Sequence, residues 1–523
     1  MYLRAVNSLL HPMSNSSPVR VRFAPSPTGP LHMGGVRTAL YNYLFAKHHG
    51  GTFILRIEDT DQKRFVPGAE EYIQEALGWA GLALDEGPGI GGDFGPYRQS
   101  ERGALYRTQI QELLNRGLAY KAFDTAEEMD AFRKIAEAEG RVWQYDASTR
   151  GGLRNSLALS KQEVLDLEEA GVPAVIRFRM PDEPQDVVIE DLVRGKVQIS
   201  TSVLDDKVLM KADGLPTYHF ANVVDDHFME ISHVIRGEEW LPSAPLHTLL
   251  YKAFDWKAPE FAHLPLILKP TGNGKLSKRD GDQGGFPVFP LAWTDPETGK
   301  VSSGYRESGY LPEAFANMLL LLGWNPGTEQ EIFNFEQAQE AFTLERVVKS
   351  GARFNPEKAK WFNEQHLRSL PIPAAAELLF NTRPNGINWG VDTCERVAQM
   401  MLERVSFIEE IWEARWLYER PSSFDDNLIR KRWKEETGEM IDGLMERLAK
   451  LNAFDADSIE TAFKTYLEER KVGFGAVLLP FRILLTGEGG GPSMFEFAEF
   501  IGWEETRARV EESQRIIQSM LAS

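Results

Sequence analysis

A chain of 523 residues, 42% apolar and 26% charged, exceeds the roughly 250 residues at which single cores stop growing, so it reads as several globular domains and excludes a fibrous or disordered protein. Its 58 basic against 77 acidic side chains leave a net charge of −19, which argues against wholesale binding to polyanions and leaves room for a local basic face. The single cysteine, Cys394, rules out an internal disulfide or a cysteine-based metal cluster and suits a reducing cytoplasm.

Segment Met1 to Pro18 has Arg4 and a few leucines but no apolar core of signal-peptide length. It reads as an extension ahead of the fold, or as an early start with Met13 as the true first residue, rather than as a targeting peptide. No later run reaches the roughly 20 apolar residues of a bilayer span. "VRVRFA", Val19 to Ala24, alternates as a strand does, with Arg20 on a face that would ordinarily meet solvent. "VRTALYNYLFAKHHG", Val36 to Gly50, has helical spacing, and "GGTFILRIEDTD", Gly50 to Asp61, reads as a second buried strand with acidic residues at its carboxyl end.

Between them "RFAPSPTGPLHMGG", Arg22 to Gly35, packs three prolines and three glycines around one histidine. It is a strand-to-helix turn that opens a β-α-β unit, where ligands bind beyond the strand ends and phosphates near helix N-termini. The dinucleotide fingerprint GxGxxG is absent. His32, Gly34 and Gly35 begin the helix instead: the glycines let a nucleotide lie against the backbone, and the imidazole can donate to a phosphate oxygen. A helix cap or a packing residue explains a lone histidine equally well.

Downstream, "GNGKLSKRDGD", Gly272 to Asp282, sets Lys275, Lys278 and Arg279 around Ser277. Alone it is an exposed basic turn. Paired with the first loop, it supplies the mobile ammonium groups that an ATP triphosphate requires when its α-phosphate is attacked and pyrophosphate leaves. A long aromatic insert, Gly284 to Tyr310, follows, with "DPETGK" as a hairpin turn; it either packs over the site or decorates the surface. Beyond "LGWNPG", Leu322 to Gly327, the pattern is helical. Leu344 to Arg368 mixes Arg346, Lys349, Arg353, Lys358, Lys360 and Arg368 with Phe354, Trp361 and Phe362. The cations can meet phosphates and the aromatics can stack unpaired bases; the alternative is a solvated amphipathic helix with core aromatics, which suits Trp361. "IRKRWK", Ile429 to Lys434, is equally ambiguous, and "GFGAVLLPFRILLTG", Gly473 to Gly487, is an apolar helix too short to cross a membrane.

"PSPTGPLHMGG" and "KLSKR" resemble the two signature loops of class I aminoacyl-tRNA synthetases. "RFAPSPTG", "RIEDTD", "LPTYHFANVVDDH" and "HVIRGEEWLPSAPLH" are similar to the glutamyl members specifically. The resemblance runs from about Val19 through the helical C-terminal third. It implies an α/β fold: a doubly wound, Rossmann-like catalytic domain in two halves, 19–100 and 216–255, separated by an acceptor-end-binding insertion, 101–215. A stem-contact domain with the KLSKR loop, 256–345, and all-helical anticodon-binding domains, 346–420 and 421–523, would follow.

The implied reaction joins L-glutamate to the 3′ end of tRNA(Glu) through a glutamyl-adenylate, releasing AMP and diphosphate, with Mg2+ accompanying ATP and tRNA needed before activation. A cytoplasmic monomer without membrane attachment is expected. Carried over by motif, the catalytic residues are His32, Lys275 and Lys278. ATP would meet His32, Gly34, Gly35, Glu239, Lys275, Leu276, Ser277, Lys278 and Arg279. Glutamate presents one ammonium and two carboxylates, so a selective pocket needs an anion and a well-placed arginine. Arg22 and Tyr218 would take the side-chain carboxylate, Glu58 and Ser26 the α-ammonium, and Asn222 and Arg236 the α-carboxylate end, with Ala24 also among the glutamate-binding residues. Arg346, Arg353, Lys358, Lys360 and Arg368 are candidates for tRNA.

Many relatives carry a zinc site in the insertion. Here Ala122, Asp124, Ala147 and Ser148 stand where such ligands fall and no cysteine is at hand, so no zinc site or other resident metal is expected. The alternatives are a non-discriminating enzyme that also charges tRNA(Gln), a glutaminyl enzyme, whose anticodon region would be β-barrels, and a non-catalytic tRNA-binding protein, expected to have lost His32 or Lys278.

Overall fold

In the computed structural model residues 18–61 and 63–522 are described, so the expectation for the first 17 residues lies outside them. They form two compact units, one up to Ala359 and one from Lys360.

The first unit opens with β1 (Arg20–Phe23), all four residues of which are buried. This corrects the solvent-facing reading of Arg20: its guanidinium meets Glu86 at 2.8 Å inside the protein, as Arg22 meets Asp226 at 2.9 Å. The polar half of the alternation therefore faces buried carboxylates, not water. Helix α1 (Met33–His48) starts three residues earlier than its apolar period suggests, because His32 caps it: Nδ1 accepts from Gly34 N at 3.2 Å. Strand β2 (Thr52–Leu55) pairs parallel with β1, Arg22 opposite Ile54.

Helices α2 (Ala69–Trp79) and α3 (Gly103–Asn115) lead to β3 (Ala119–Ala122), α4 (Ala126–Ala138), α5 (Lys161–Glu169) and β4 (Val175–Phe178). Next come β5 (Asp186–Asp191), β6 (Gly195–Ser200), β7 (Val208–Met210), α6 (Tyr218–Phe228), β8 (His233–Gly237), α7 (Ala244–Ala253) and β9 (Glu260–Leu264). Strands β3, β4 and β7 make an antiparallel sheet. A mixed sheet runs β6-β5-β9-β8, with β9 parallel to both β5 and β8. The first sheet adjoins this one where Ser232 N donates to Arg20 O at 2.9 Å. Ile54, Leu209, Phe220, Val223, Val234 and Leu250 fill the core behind these strands, and the carboxyl ends of β1, β2 and β8 are left at one rim.

After β10 (Ile267–Leu268) and α8 (Lys278–Gly284), the aromatic insert forms β11 (Trp293–Thr294) and β12 (Val301–Ser302), antiparallel across the expected turn. It packs on the start of α1 and on α2: Met33 N donates to Val288 O at 2.8 Å and the Tyr72 hydroxyl to Leu291 O at 2.6 Å. Strand β13 (Ala352–Arg353) pairs with β10.

The second unit contains helices and no strand among the described residues. Val397, Leu444, Phe463, Phe481 and Phe497 are core residues, and Cys394 is buried with them. The helix Met494–Ala522 is interrupted at Gly502, whose φ of 77 only glycine adopts freely. Arg509 reaches inward and donates to the carbonyls of Trp416 and Leu485 at 2.6 and 2.9 Å. Among the described residues no helix is long and apolar enough to cross a membrane.

Candidate active site

The rim left by β1, β2 and β8 carries a cavity of about 570 Å3. Arg22 and Ala24 come from the end of β1, Ser26 from the turn, His32, Gly34 and Gly35 from the start of α1, and Glu58 from beyond β2. Tyr218 and Asn222 enter from α6, Arg236 from β8, Glu239 from the turn after it, and Lys275 and Leu276 from the loop after β10. Residues from the two distant sequence motifs therefore share one cavity. Lys278 lines an adjoining cavity of about 430 Å3, together with Ser26, His32, Phe289 and Trp293. Ser277 and Arg279 line neither: Ser277 donates its backbone and hydroxyl to Asp280 at the start of α8, and Arg279 is exposed.

One end of the cavity stands on a buried charge cluster. Asp226 accepts from Arg22 Nε at 2.9 Å and Nη2 at 3.2 Å, and from Arg56 Nη1 at 2.7 Å. Arg56 also meets Glu58 at 3.1 Å. Asp225 accepts from Arg102, Gln99 and Tyr106 at 2.6, 2.8 and 2.8 Å. Three arginines thus face three carboxylates, and the cluster is neutral as a set. Burial works against the charge on Asp226, but Arg22 and Arg56 outweigh it and hold its pKa below the usual carboxylate range. Burial wins at Glu58, whose pKa is raised despite Arg56 and Arg22; a ligand cation beside it would draw that pKa back down. Turning the Asn222 amide lets it donate to Asp226 at 3.3 Å and accept from Arg56 at 3.0 Å, satisfying both ends. Neither bond from Arg22 to Asp226 uses Nη1.

At the other end, capping consumes His32 Nδ1 as an acceptor, so the proton sits on Nε2, which is buried without a partner among the described residues. Such a donor marks a place for a ligand acceptor. Burial, followed by the Lys275 charge, lowers the His32 pKa to about 4, so the imidazole is a neutral donor at pH 7. Lys275 meets Glu239 at 2.8 Å with both side chains exposed; such pairs contribute at most about 1 kcal/mol, so Lys275 leaves its partner at little cost. A Cβ on Gly35 would sit 2.5 Å from Leu31 Cδ1, so the leucine side chain would have to shift, whereas Gly34 would meet only ordinary contacts.

Sequence reasoning missed Arg37, Trp240 and Phe289. Arg37 lines the cavity and donates to the carbonyls of Leu322 and Pro265; one arginine amid an apolar helix was its signal. The Trp240 ring lies 4.3 Å from that of Tyr218. Phe289 meets the His32 ring edge-on at 6.0 Å; the aromatic insert that carries it was its signal, without singling out this residue.

A model of the family described as tRNA synthetases class I (E and Q), catalytic domain, matches residues 18–361. A glutamate–tRNA ligase of Christiangramia forsetii is 52% identical over 501 residues, spanning 95% of this chain and 99% of that one. The chain belongs to the glutamate–tRNA ligase family of class I tRNA synthetases. A relative of the same name from Porphyromonas gingivalis is 54% identical over 505 residues, again 95% of this chain and 99% of its own. Within the family, the crystal structure of a glutamate tRNA ligase from Elizabethkingia meningosepticum in complex with its amino acid superposes with a TM-score of 0.92 at 50% identity, covering 96% of this chain and 100% of that chain. An anticodon binding domain matches residues 372–513. The all-helical second unit agrees with this family and does not favour the β-barrel alternative.

The basic residues considered for tRNA are mostly engaged within the protein. Arg353 donates to the carbonyls of Lys269 and Gly272, both at 2.8 Å, and braces the lysine loop. Lys358, Lys360 and Arg368 pair with Glu331, Glu410 and Glu364 at 2.7, 3.7 and 3.9 Å, while Arg346 is exposed. All five precede the matched anticodon domain. Base stacking by Phe354 and Phe362 is corrected: they are 1% and 2% exposed, and Phe354 packs on Phe286 of the insert at 5.1 Å. Asp124 accepts from the Tyr145 hydroxyl and Arg154 N, and among the described residues no three metal-binding side chains converge.

Proposed function

We propose that the chain activates L-glutamate with ATP and transfers it to the terminal ribose of tRNA(Glu). What supports the reading is one cavity in which Arg22, Glu58, Tyr218 and Arg236 stand opposite His32 and Lys275, in a chain of this family. Glutamate would lie with its α-ammonium toward Glu58 and Ser26, beside Ala24. Its side-chain carboxylate meets Arg22 Nη1 and the Tyr218 hydroxyl, and its α-carboxylate lies toward Asn222 and Arg236.

The α-carboxylate attacks the α-phosphorus in line, the bond from that phosphorus to the α,β-bridging oxygen breaks, and pyrophosphate leaves; magnesium accompanying the nucleotide would neutralise part of its charge. No side chain forms a covalent bond. The work is positioning two anions and stabilising the charge that develops between them. His32 donates through Nε2 to a phosphate oxygen, with Gly34 and Gly35 leaving the backbone close to the nucleotide. Lys275 exchanges Glu239 for phosphate, and Lys278 holds the β and γ oxygens, with Leu276, Ser277 and Arg279 carrying the loop. The 2′-hydroxyl of the bound tRNA then attacks the mixed anhydride and releases AMP.

We assign the acceptor end to residues 101–215 and the anticodon to the helical second unit, with Arg346, Arg353, Lys358, Lys360 and Arg368 retained as candidate tRNA contacts. The resemblance supports a cytoplasmic monomer. Aminoacylation of purified tRNA(Glu) and tRNA(Gln) with labelled glutamate and glutamine is the test: glutamate on tRNA(Glu) alone is expected, glutamate on both would make the enzyme non-discriminating, and no charging would overturn the reading.

A further inference from the structure

Two arginines of the cavity, Arg22 and Arg236, keep different company. Arg22 is bonded to a carboxylate, whereas among the described residues no carboxylate forms an ion pair with Arg236. Its Nε lies 3.1 Å from His263 Nε2, and its Nη1 lies 3.3 Å from His247 Nδ1 and 3.2 Å from the Tyr218 hydroxyl. A guanidinium can only donate, so each imidazole nitrogen that faces it must present a lone pair. That fixes both rings. The proton of His263 sits on Nδ1, which faces Asp191 Oδ2 at 2.6 Å, and the proton of His247 sits on Nε2, which faces His219 Nδ1 at 3.2 Å.

Asp191 is itself held. Its Oδ1 accepts from the backbone N–H groups of Arg194, Val193 and His263 at 2.8, 3.0 and 3.3 Å, and it closes β5 where that strand meets β9. The Asp191 and His263 side chains are fully buried, and His247 is 1% exposed. Burial is the main cause that pushes the pKa of both histidines down, in keeping with neutral rings.

We infer that Asp191, His263 and His247 are positioning residues that aim the Arg236 guanidinium at a substrate carboxylate while leaving its charge uncancelled. Two neutral imidazoles fix its direction, which a carboxylate would also do, but only by neutralising the cation that an incoming anion needs. Naming that anion as a carboxylate of glutamate rests on the function proposed above; the hydrogen-bond chain does not.

Asp191→Asn is the discriminating change. Three backbone donors hold an oxygen at the Oδ1 position, so the amide nitrogen must fall at Oδ2, facing His263. His263 then has to move its proton to Nε2, which sets donor against donor at Arg236. Imidazole 15N spectra of the histidine-labelled full chain should show His263 protonated at Nδ1, and protonated at Nε2 in D191N. The KM for glutamate in charging should rise about tenfold or more in D191N, the value of a lost charge-assisted hydrogen bond, with the KM for ATP within about twofold. His263→Gln, which can still offer an oxygen to Arg236, should recover part of the loss that His263→Leu suffers.

A wild-type spectrum with the His263 proton on Nε2 would overturn the inference without any variant. An unchanged glutamate KM in D191N would overturn it as well. If the wild-type chain charges no tRNA with glutamate, the functional reading falls, and the tautomer spectrum still decides whether the chain to Arg236 is built as described.

Discussion

The ammonium of Lys278 lies 5.8 Å from the centroid of the Phe289 ring, and the same ring faces His32 at 6.0 Å. The two signature loops, far apart in sequence, are thus bridged by one side chain of the insert. Phe289 is held from both sides, since Met33 N donates to Val288 O at 2.8 Å and Tyr305 N to Phe289 O at 2.9 Å. A cation over an aromatic face contributes about 0.5–1 kcal/mol near the surface. Phe289→Leu is expected to raise the KM for ATP a few-fold while the KM for glutamate stays put, and Phe289→Tyr to restore it; ATP-dependent charging kinetics measure both.

Lys278→Ala should reduce the rate of adenylate formation about 100-fold or more, the scale found when one preorganised stabiliser of developing charge is removed. Lys278 makes no ion pair among the described residues, so folding should survive, and tRNA affinity in a filter-binding assay should hardly move. An unchanged rate would remove the phosphate role.

Arg22→Ala should raise the glutamate requirement far more than the ATP requirement, because the side chain lines the end of the cavity that we assign to the amino acid. It also leaves Asp226 with Arg56 alone. Breaking a buried pair in this way costs about 3–5 kcal/mol, so the thermal midpoint should fall with activity, and equal effects on both substrate requirements would contradict the pocket.

Acid should destabilise the first unit in a defined window. Burial lowers the pKa of His32 and of His219 from 6.5 to about 4. The unfolded chain therefore binds protons at these sites that the folded chain refuses. Their contribution is fully present above pH 6.5 and drains away as pH falls toward 4, by at most about 1.4 kcal/mol per pH unit for each group. Urea midpoints at pH 7.5, 6 and 5 should decline, and His219→Gln should make the decline shallower.

Much of the site was legible because its physics is local. Prolines and glycines forbid regular backbone between Arg22 and Gly35, and a strand ending in "RIEDTD" puts Glu58 at a strand's carboxyl end. His32 satisfied two readings at once, capping α1 through one nitrogen and leaving the other for a ligand. What escaped depends on chain segments that meet only after folding. His263 and Asp191 come from β9 and β5, and neither has a sequence neighbour that betrays Arg236. The aromatics at Phe354 and Phe362 have the spacing of a stacking surface, but burial decides their role, and Phe286 of the insert covers Phe354. Arg353 stays a candidate tRNA contact, but that its Nη1 is spent on the carbonyls of Lys269 and Gly272 is something no local spacing announces.

The neutral cluster of Arg22, Arg56 and Arg102 with Glu58, Asp225 and Asp226 has a consequence for how this sequence can drift. Any one replacement by an uncharged residue leaves an odd charge in a dry interior, at a cost of about 3–5 kcal/mol. A compensating change has to come from an opposite partner: Asp225 and Asp226 of α6 answer Arg22, Arg56 and Arg102 across more than a hundred positions, whereas Glu58 answers Arg56 from two positions away, so the cluster ties α6 to the start of the chain while leaving one pair free to vary locally.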